Sequence, residues 1–389
     1  MNNYFSLLNI TSVYLLNSIF ATFLTIIFFV SGLTDIALAI SITQSFLACV
    51  TYTLSSHSRS LIVSDSNMYK LLSEYFFRIK IAGIFLLVML IFFYFNFYKI
   101  ENKFLIFVII VISLLQWIYE LNIAKAEIKK DHKFILNINS FLIFIFLIFC
   151  AIYILDQYSY YIIVLLILLI FLIIQVIKSS LVAIFIKDKM IFKLKNIIND
   201  KSAISSFFIY FSNFIWKILI VLYTEINFAI SVFIVHSFST FVSSTYTNSF
   251  GYTFLKNNKK IIVFFFFYFI LTAIIIFNTN LILKYLPNNI TLIDNPISFF
   301  KELIIYSMIG SNFLLLGQYF RSKNIFFYPQ NRKHIFLADI IFSILILFYI
   351  SLIVFFMDIV LIKYLFLISS ITNYFIYYYW LLKNKLKFK

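Results

Sequence analysis

Thr34–Ser56 reads TDIALAISITQSFLACVTYTLSS, and the chain returns to it at Thr224–Ser249 with TEINFAISVFIVHSFSTFVSSTYTNS. Both stretches open on Thr-Asp/Glu-Ile-x-x-Ala-Ile-Ser and later carry Thr-Tyr-Thr-x-Ser. The first match falls at an offset of 190 residues and the second at 194, a slip of about one helical turn. A second echo lies further on. Asp131-His132-Lys133-Phe134-Ile135 aligns with Asn331-Arg332-Lys333-His334-Ile335 at an offset of 200, and Tyr119 with Tyr319. A chain of 389 residues that repeats near half its length is a fused duplication.

The composition says what each copy is made of. Hydrophobic residues make up 63% of the chain, charged residues 12%, and the mean hydropathy is +1.02. That excludes a soluble domain and places the chain among polytopic membrane proteins. A spanning helix needs roughly 20 mostly apolar residues, so there is room for about twelve helices and little else. The formal charge of +16 reflects membrane orientation, as its distribution below argues, and no nucleic-acid partner is expected. Cys49 and Cys150 lie in apolar runs with no CxxC or metal spacing. The N-terminus lacks a basic n-region and a small-residue cleavage site, so its first apolar run is expected to stay as a span.

Apolar runs between charged or Pro/Asn breaks place spans near 8–30, 35–56, 79–98, 103–123, 134–155 and 159–184. A second set falls near 203–223, 226–250, 261–283, 299–320, 335–357 and 360–381. The expected domains are a six-helix bundle over 1–185, a linker over 186–202 and a second six-helix bundle over 203–389. Loops on the side of the N-terminus, with the C-terminal tail, hold 24 Lys and Arg, and the opposite loops hold 5. The positive-inside rule then puts both termini in the cytoplasm. Six spans per half is an even number, so the halves are expected to be parallel repeats. The segment Ile186–Lys201 sets Met190, Ile191, Leu194, Ile197 and Ile198 on one stripe with lysines opposite. That pattern suits an amphipathic helix on the cytoplasmic leaflet, read first as a tether between the halves.

Polar side chains are costly in hydrocarbon, so polar spans mark helices that face protein or water. Spans 79–98, 134–155, 261–283 and 335–357 are almost pure Phe, Ile and Leu and are expected to face lipid all round. The first two spans of each half differ. The first carries Thr11, Tyr14, Ser18, Thr22 and Thr25 at helical spacing with Asn17 alongside, and the second carries Ser41, Gln44, Ser45, Tyr52, Ser55 and Arg59. The seventh carries Ser206, Tyr210, Asn213, Lys217 and Thr224. The eighth carries Ser231, His236, Ser239, Thr240, Ser243, Ser244, Thr247 and Asn248. Each hydroxyl alone reads as helix glue or as a bond to its own backbone, while the stripes as a set point to a polar cavity between the halves.

The candidate substrate-binding residues are Asn17, Gln44, Arg59, Tyr210, Asn213, Lys217, His236 and Arg321. Lys217 sits about seven residues from the outer end of its span, either snorkelling outward or presenting an ammonium to an anionic group. Lys178 suits snorkelling better. Arg59 and Arg321 lie at the inner mouths of spans 2 and 10, where a guanidinium either anchors the helix or grips a phosphate bidentately. Thr34-Asp35 and Thr224-Glu225 read as N-cap threonines with an acid in the first turn. Enzymatic chemistry finds little footing. There are five glycines and no phosphate loop, no HExxH, no nucleophile elbow, and no outer loop long enough to form a domain.

These features resemble the multidrug/oligosaccharidyl-lipid/polysaccharide exporter superfamily, and within it the polysaccharide (O-antigen, Wzx-type) flippases. The carriers of the resemblance are twelve spans in two parallel repeats and the polarity of spans 1, 2, 7 and 8. Two local matches add to it: Ser58-Arg59-Ser60-Leu61 closing span 2, and the basic turn Glu127–Lys133 before span 5. The chain departs from the family at span 1, which has no charge, and before span 2, where only Ser31-Gly32-Leu33 remains of a longer glycine turn. The resemblance implies an all-α membrane protein with a central polar cavity, in a bacterial cytoplasmic membrane. It also implies a transporter that flips a polyprenyl-diphosphate-linked oligosaccharide by alternating access. Membrane lipids, a polysaccharide polymerase and glycosyltransferases are the implied partners. No cofactor or metal is expected, and coupling to H+ or Na+ stays open. The alternatives are a cation-coupled multidrug exporter, which wants a carboxylate deep in an N-terminal span, and a membrane polysaccharide polymerase, which wants a catalytic His or Arg in an outer loop.

Overall fold

The computed structural model describes residues 20–55, 68–94, 103–129, 131–180, 201–247, 258–284, 295–328, 332–356 and 358–387. Among them the chain is helical, and it is a polytopic all-α membrane protein. Eight helices are long and apolar enough to cross a membrane, and Ile226–Thr240 and Ile261–Phe277 are shorter apolar helices. The chain divides into two compact units, Met1–Ile204 and Ser205–Lys389. The first holds α1 (Phe20–Val30), α2 (Thr34–Ser55), α3 (Met68–Tyr94), α4 (Lys103–Lys129), α5 (His132–Ile154) and α6 (Tyr161–Ser180). In the second lie α7 (Lys201–Tyr223, whose first turn precedes the division), α8 (Ile226–Thr247) and α9 (Asn258–Phe277). They are followed by α10 (Pro296–Phe327), α11 (Arg332–Phe356) and α12 (Ile362–Lys387).

Local chemistry sets the breaks. After α1 the amide of Leu33 reaches back to the Phe28 carbonyl and that of Gly32 to Phe29. Gly32 sits at φ 78°, the left-handed closure that glycine adopts without a Cβ penalty. Asp131 caps α5 by accepting from the Phe134 amide at 3.1 Å, and Asn295 caps α10 by accepting from Ser298 at 3.1 Å with Pro296 next in line. Both places suit residues that satisfy, or lack, the orphan donors of a first turn.

The duplication extends to packing. In each unit the fourth and sixth helices form the central pair, α4 with α6 and α10 with α12. The second and third helices pack on the fourth, and the fifth on the sixth. One bond repeats in place: Asn122 donates to the Gln175 carbonyl at 3.4 Å, and Asn324 donates to the Tyr377 carbonyl at 3.2 Å. Both donor and acceptor have shifted by 202 positions. In unit 2 the central pair touches closely because α10 presents Gly310 and Gly317. A Cβ at Gly310 would stand 2.9 Å from the Phe366 ring, and one at Gly317 would collide with Asn373 Oδ1. Small residues that let backbones approach are how membrane helices gain packing energy.

Several expectations need correction. The run 335–357 does not face lipid all round, because α11 turns Asp339 and Ser343 into the bundle, both fully buried. Residues 79–94 of the run 79–98 belong to a longer helix, α3, whose first half buries Glu74 and Arg78. The run 261–283 is broken at Asn278, where the chain turns before the short helix Thr279–Leu283. Thr224 does not cap α8. Its hydroxyl donates back to the Ile220 carbonyl at 2.8 Å, and Glu225 takes the position before the helix, its carbonyl receiving the Ala229 amide. The amphipathic segment Ile186–Lys201 lies outside the described residues, apart from Lys201 at the start of α7.

Candidate functional site

The polar stripes of the repeated stretch turn largely inward on their own helices. In α2, Thr43, Ser45, Thr51 and Thr53 donate to the carbonyls of Ala39, Ser41, Leu47 and Cys49. In α8, Ser231, Ser239 and Thr240 donate to Asn227, Val235 and His236. Each is an i to i−4 bond, which satisfies a hydroxyl in hydrocarbon without any ligand. The cavity-lining role expected of the stripes as a set therefore does not follow from these hydroxyls. Gln44 behaves differently, donating from Nε2 to Ser113 Oγ on α4 at 2.5 Å. Asn17 and Arg59 lie outside the described residues.

In unit 2 the structure brings Asn213, Lys217 and His236 together. α7 carries Tyr210, Asn213, Trp216 and Lys217 at spacings that keep the first three within two turns. Trp216 is buried and donates from its indole nitrogen to Asn213 Oδ1 at 3.3 Å. Lys217 is only 8% exposed, and its Nζ lies 5.4 Å from the centre of the Phe233 ring on α8. Phe233 meets Trp216 edge to face at 5.3 Å. The His236 ring stands edge-on to Trp216 at 4.7 Å and to Phe366 of α12 at 4.8 Å. The ammonium is thus held inside the unit against aromatic rings rather than extended to the helix end. Such a residue inside a membrane marks a functional site by default.

Arg321 has another occupation. Its Nε donates to Asp339 Oδ1 at 3.0 Å and its Nη2 to Oδ2 at 2.7 Å, so the bidentate face expected to meet a phosphate is filled. Ser205 of α7 donates to the same carboxylate at 2.5 Å, and the Tyr377 hydroxyl of α12 also donates to it. Asp339, fully buried on α11, therefore ties together α7, α10, α11 and α12. Its sign in the sequence was available, as the single acid of the apolar run 335–356.

Unit 1 has its own charged cluster. Fully buried Arg78 on α3 meets Glu74 at 3.2 Å and Glu120 of α4 at 3.0 Å, and donates to the Trp117 carbonyl at 2.5 Å. Its guanidinium also lies 5.1 Å from the Trp117 ring centre. Two carboxylates share one guanidinium. Glu74 and Arg78 stand at i, i+4 spacing, and nothing local in the sequence tells that α4 covers them. Among the described residues no group of three or more His, Cys, Asp or Glu could hold a metal ion.

No protein-family profile and no curated protein matches the sequence. Among solved structures, a transporter of the MOP superfamily from Pyrococcus furiosus Vc1 (DSM3638) is similar. The likeness covers 98% of this chain and 92% of that one, with 9% identity and a TM-score of 0.46.

Proposed function

We propose that the chain is a flippase that carries a polyprenyl-diphosphate-linked oligosaccharide from the inner to the outer leaflet, its two six-helix units alternating access to the substrate. The observation that carries the proposal is Lys217, a cation 8% exposed in an apolar helix, with Asn213 and His236 in the same cluster. An ammonium kept out of water is stabilised when an anionic ligand arrives, and a diphosphate is such a ligand. Amide and hydroxyl groups on the same helix, Asn213 and Tyr210, suit the sugar beside it. Lys217→Ala should abolish surface glycan assembly while the protein still inserts in the membrane at normal abundance. Lys217→Arg should retain part of the activity, since it keeps the charge. Unchanged surface glycan in Lys217→Ala sinks the proposal.

A second reading, a cation-coupled exporter, draws on Arg78. Its cluster holds two carboxylates, Glu74 and Glu120, and a carboxylate inside a membrane bundle is a place for a proton or Na+. Under that reading Glu120→Gln removes drug tolerance and Lys217→Ala leaves surface glycan intact.

A further inference from the structure

At one end of unit 2 the last turns of α10 and α12 meet the first turn of α11. Ile335, Ala338 and Tyr377 form a small buried core there, with Ile325 and Trp380 packed on it. The rim of this core is cationic and aromatic. His334 stacks on Trp380 with ring centres 4.9 Å apart and planes 14° apart. Lys383 Nζ lies 4.9 Å from the centre of the same indole and 5.8 Å from that of Tyr379, which is 58% exposed. Among the described residues Lys383 enters no ion pair. The neighbouring Arg321 is already neutralised by Asp339. α11 opens Arg332-Lys333-His334 with no acid in its first turn, so the positive end of its dipole adds to the basic side chains.

We infer that this end of unit 2 binds the phosphate headgroup of an anionic glycerophospholipid. Three features select it over bulk anions. Trp and Tyr rings settle at headgroup depth, between hydrocarbon and water. The Lys383 ammonium propped on those rings is held at that depth rather than ranging through solvent. The apolar collar of Ile325 and Trp380 gives the first acyl carbons a surface that a free phosphate cannot use. Basic pockets between helix ends are where anionic headgroups dock. The inference stands apart from the flippase proposal, because it involves none of the residues around Lys217.

The test uses the full chain purified in neutral detergent, with bound lipid counted by native mass spectrometry during titration with phosphatidylglycerol, phosphatidylcholine or inorganic phosphate. Wild type should retain phosphatidylglycerol over phosphatidylcholine, and inorganic phosphate should not displace it at equal concentration. Lys383→Gln should weaken retention roughly fivefold, and adding His334→Gln, which removes the ring stacked on Trp380, should weaken it further. Lys178→Gln, which removes an exposed lysine at the end of α6 in unit 1, should leave it unchanged. Lys383→Gln alone, a change at the rim, serves if the double variant fails to fold. Equal retention by wild type and variant overturns the site. So does equal loss in Lys178→Gln, which would show net charge alone at work, or full displacement by phosphate, which would show a free-anion site.

Discussion

Asp339 receives bonds from Ser205, Arg321 and Tyr377, and so holds one helix to three others through a single carboxylate. Removing one partner of a buried pair leaves the other uncompensated, at a cost of about 3–5 kcal/mol. Asp339→Ala should therefore lower the thermal midpoint in detergent sharply. Replacing the pair by apolar residues of similar size is neutral or stabilising in comparable cases, so Arg321→Met with Asp339→Leu should recover most of the loss and keep transport. A double variant that folds but is inactive would return Arg321 to the substrate. The same residues show where sequence runs out. Lys217 stood out because a lysine inside an apolar run is anomalous wherever it points. Arg321 was legible only as an anchor or a phosphate grip and Arg78 not at all, since an arginine near the inner end of a span has an ordinary explanation, and its real partner comes from another helix. Pairing across helices has no local signature.

At the scale of the element, the approach of α10 to α12 rests on two positions without a side chain. At Gly317 a Cβ would collide with Asn373 Oδ1 and stand 3.1 Å from the Tyr374 backbone nitrogen. Gly317→Ala forces these helices apart, and overpacking of this kind costs about 1–3 kcal/mol. Gly83 on α3 is the contrast, for a Cβ there would meet nothing within 4 Å. Gly83→Ala should stabilise by about 1 kcal/mol through helix propensity alone. Thermal midpoints of the two variants should move in opposite directions. Adding Asn373→Ala to Gly317→Ala should recover part of the loss, because Asn373 Oδ1 has no hydrogen-bond partner among the described residues. If both glycine variants behave alike, the close approach carries no energy. Helix existence was legible from hydrophobic runs, and so was the glycine turn at Gly32. The use of the hydroxyls was not. Spacing alone does not tell whether a hydroxyl bonds its own i−4 carbonyl, as those of Thr43, Thr51 and Ser239 do.

For the whole molecule, duplication and charge are two independent constraints. The paired bonds of Asn122 to Gln175 and Asn324 to Tyr377 extend the repeat read from Thr34 and Thr224 into the helices that pack each unit. Charge carries an expectation of which way the spans run. With 24 basic residues in loops on the side of the termini and 5 opposite, the expected insertion has both termini in the cytoplasm, since short loops rich in Lys and Arg resist translocation. A cysteine at Asn257, in an otherwise cysteine-free chain, should react with a membrane-impermeant maleimide only after the cells are opened. One at Asn288 should react in intact cells. The reverse pattern would invert the topology. Converting Lys383, Lys385, Lys387 and Lys389 to Gln separates orientation from recognition. The other inner loops keep their excess, so the labelling pattern should stand. Lys383 is lost from the Trp380 ring, so retention of phosphatidylglycerol should fall. If the labelling pattern flips with the tail charges, the last helix sets the orientation, and the imbalance summed over all loops is the wrong account of it.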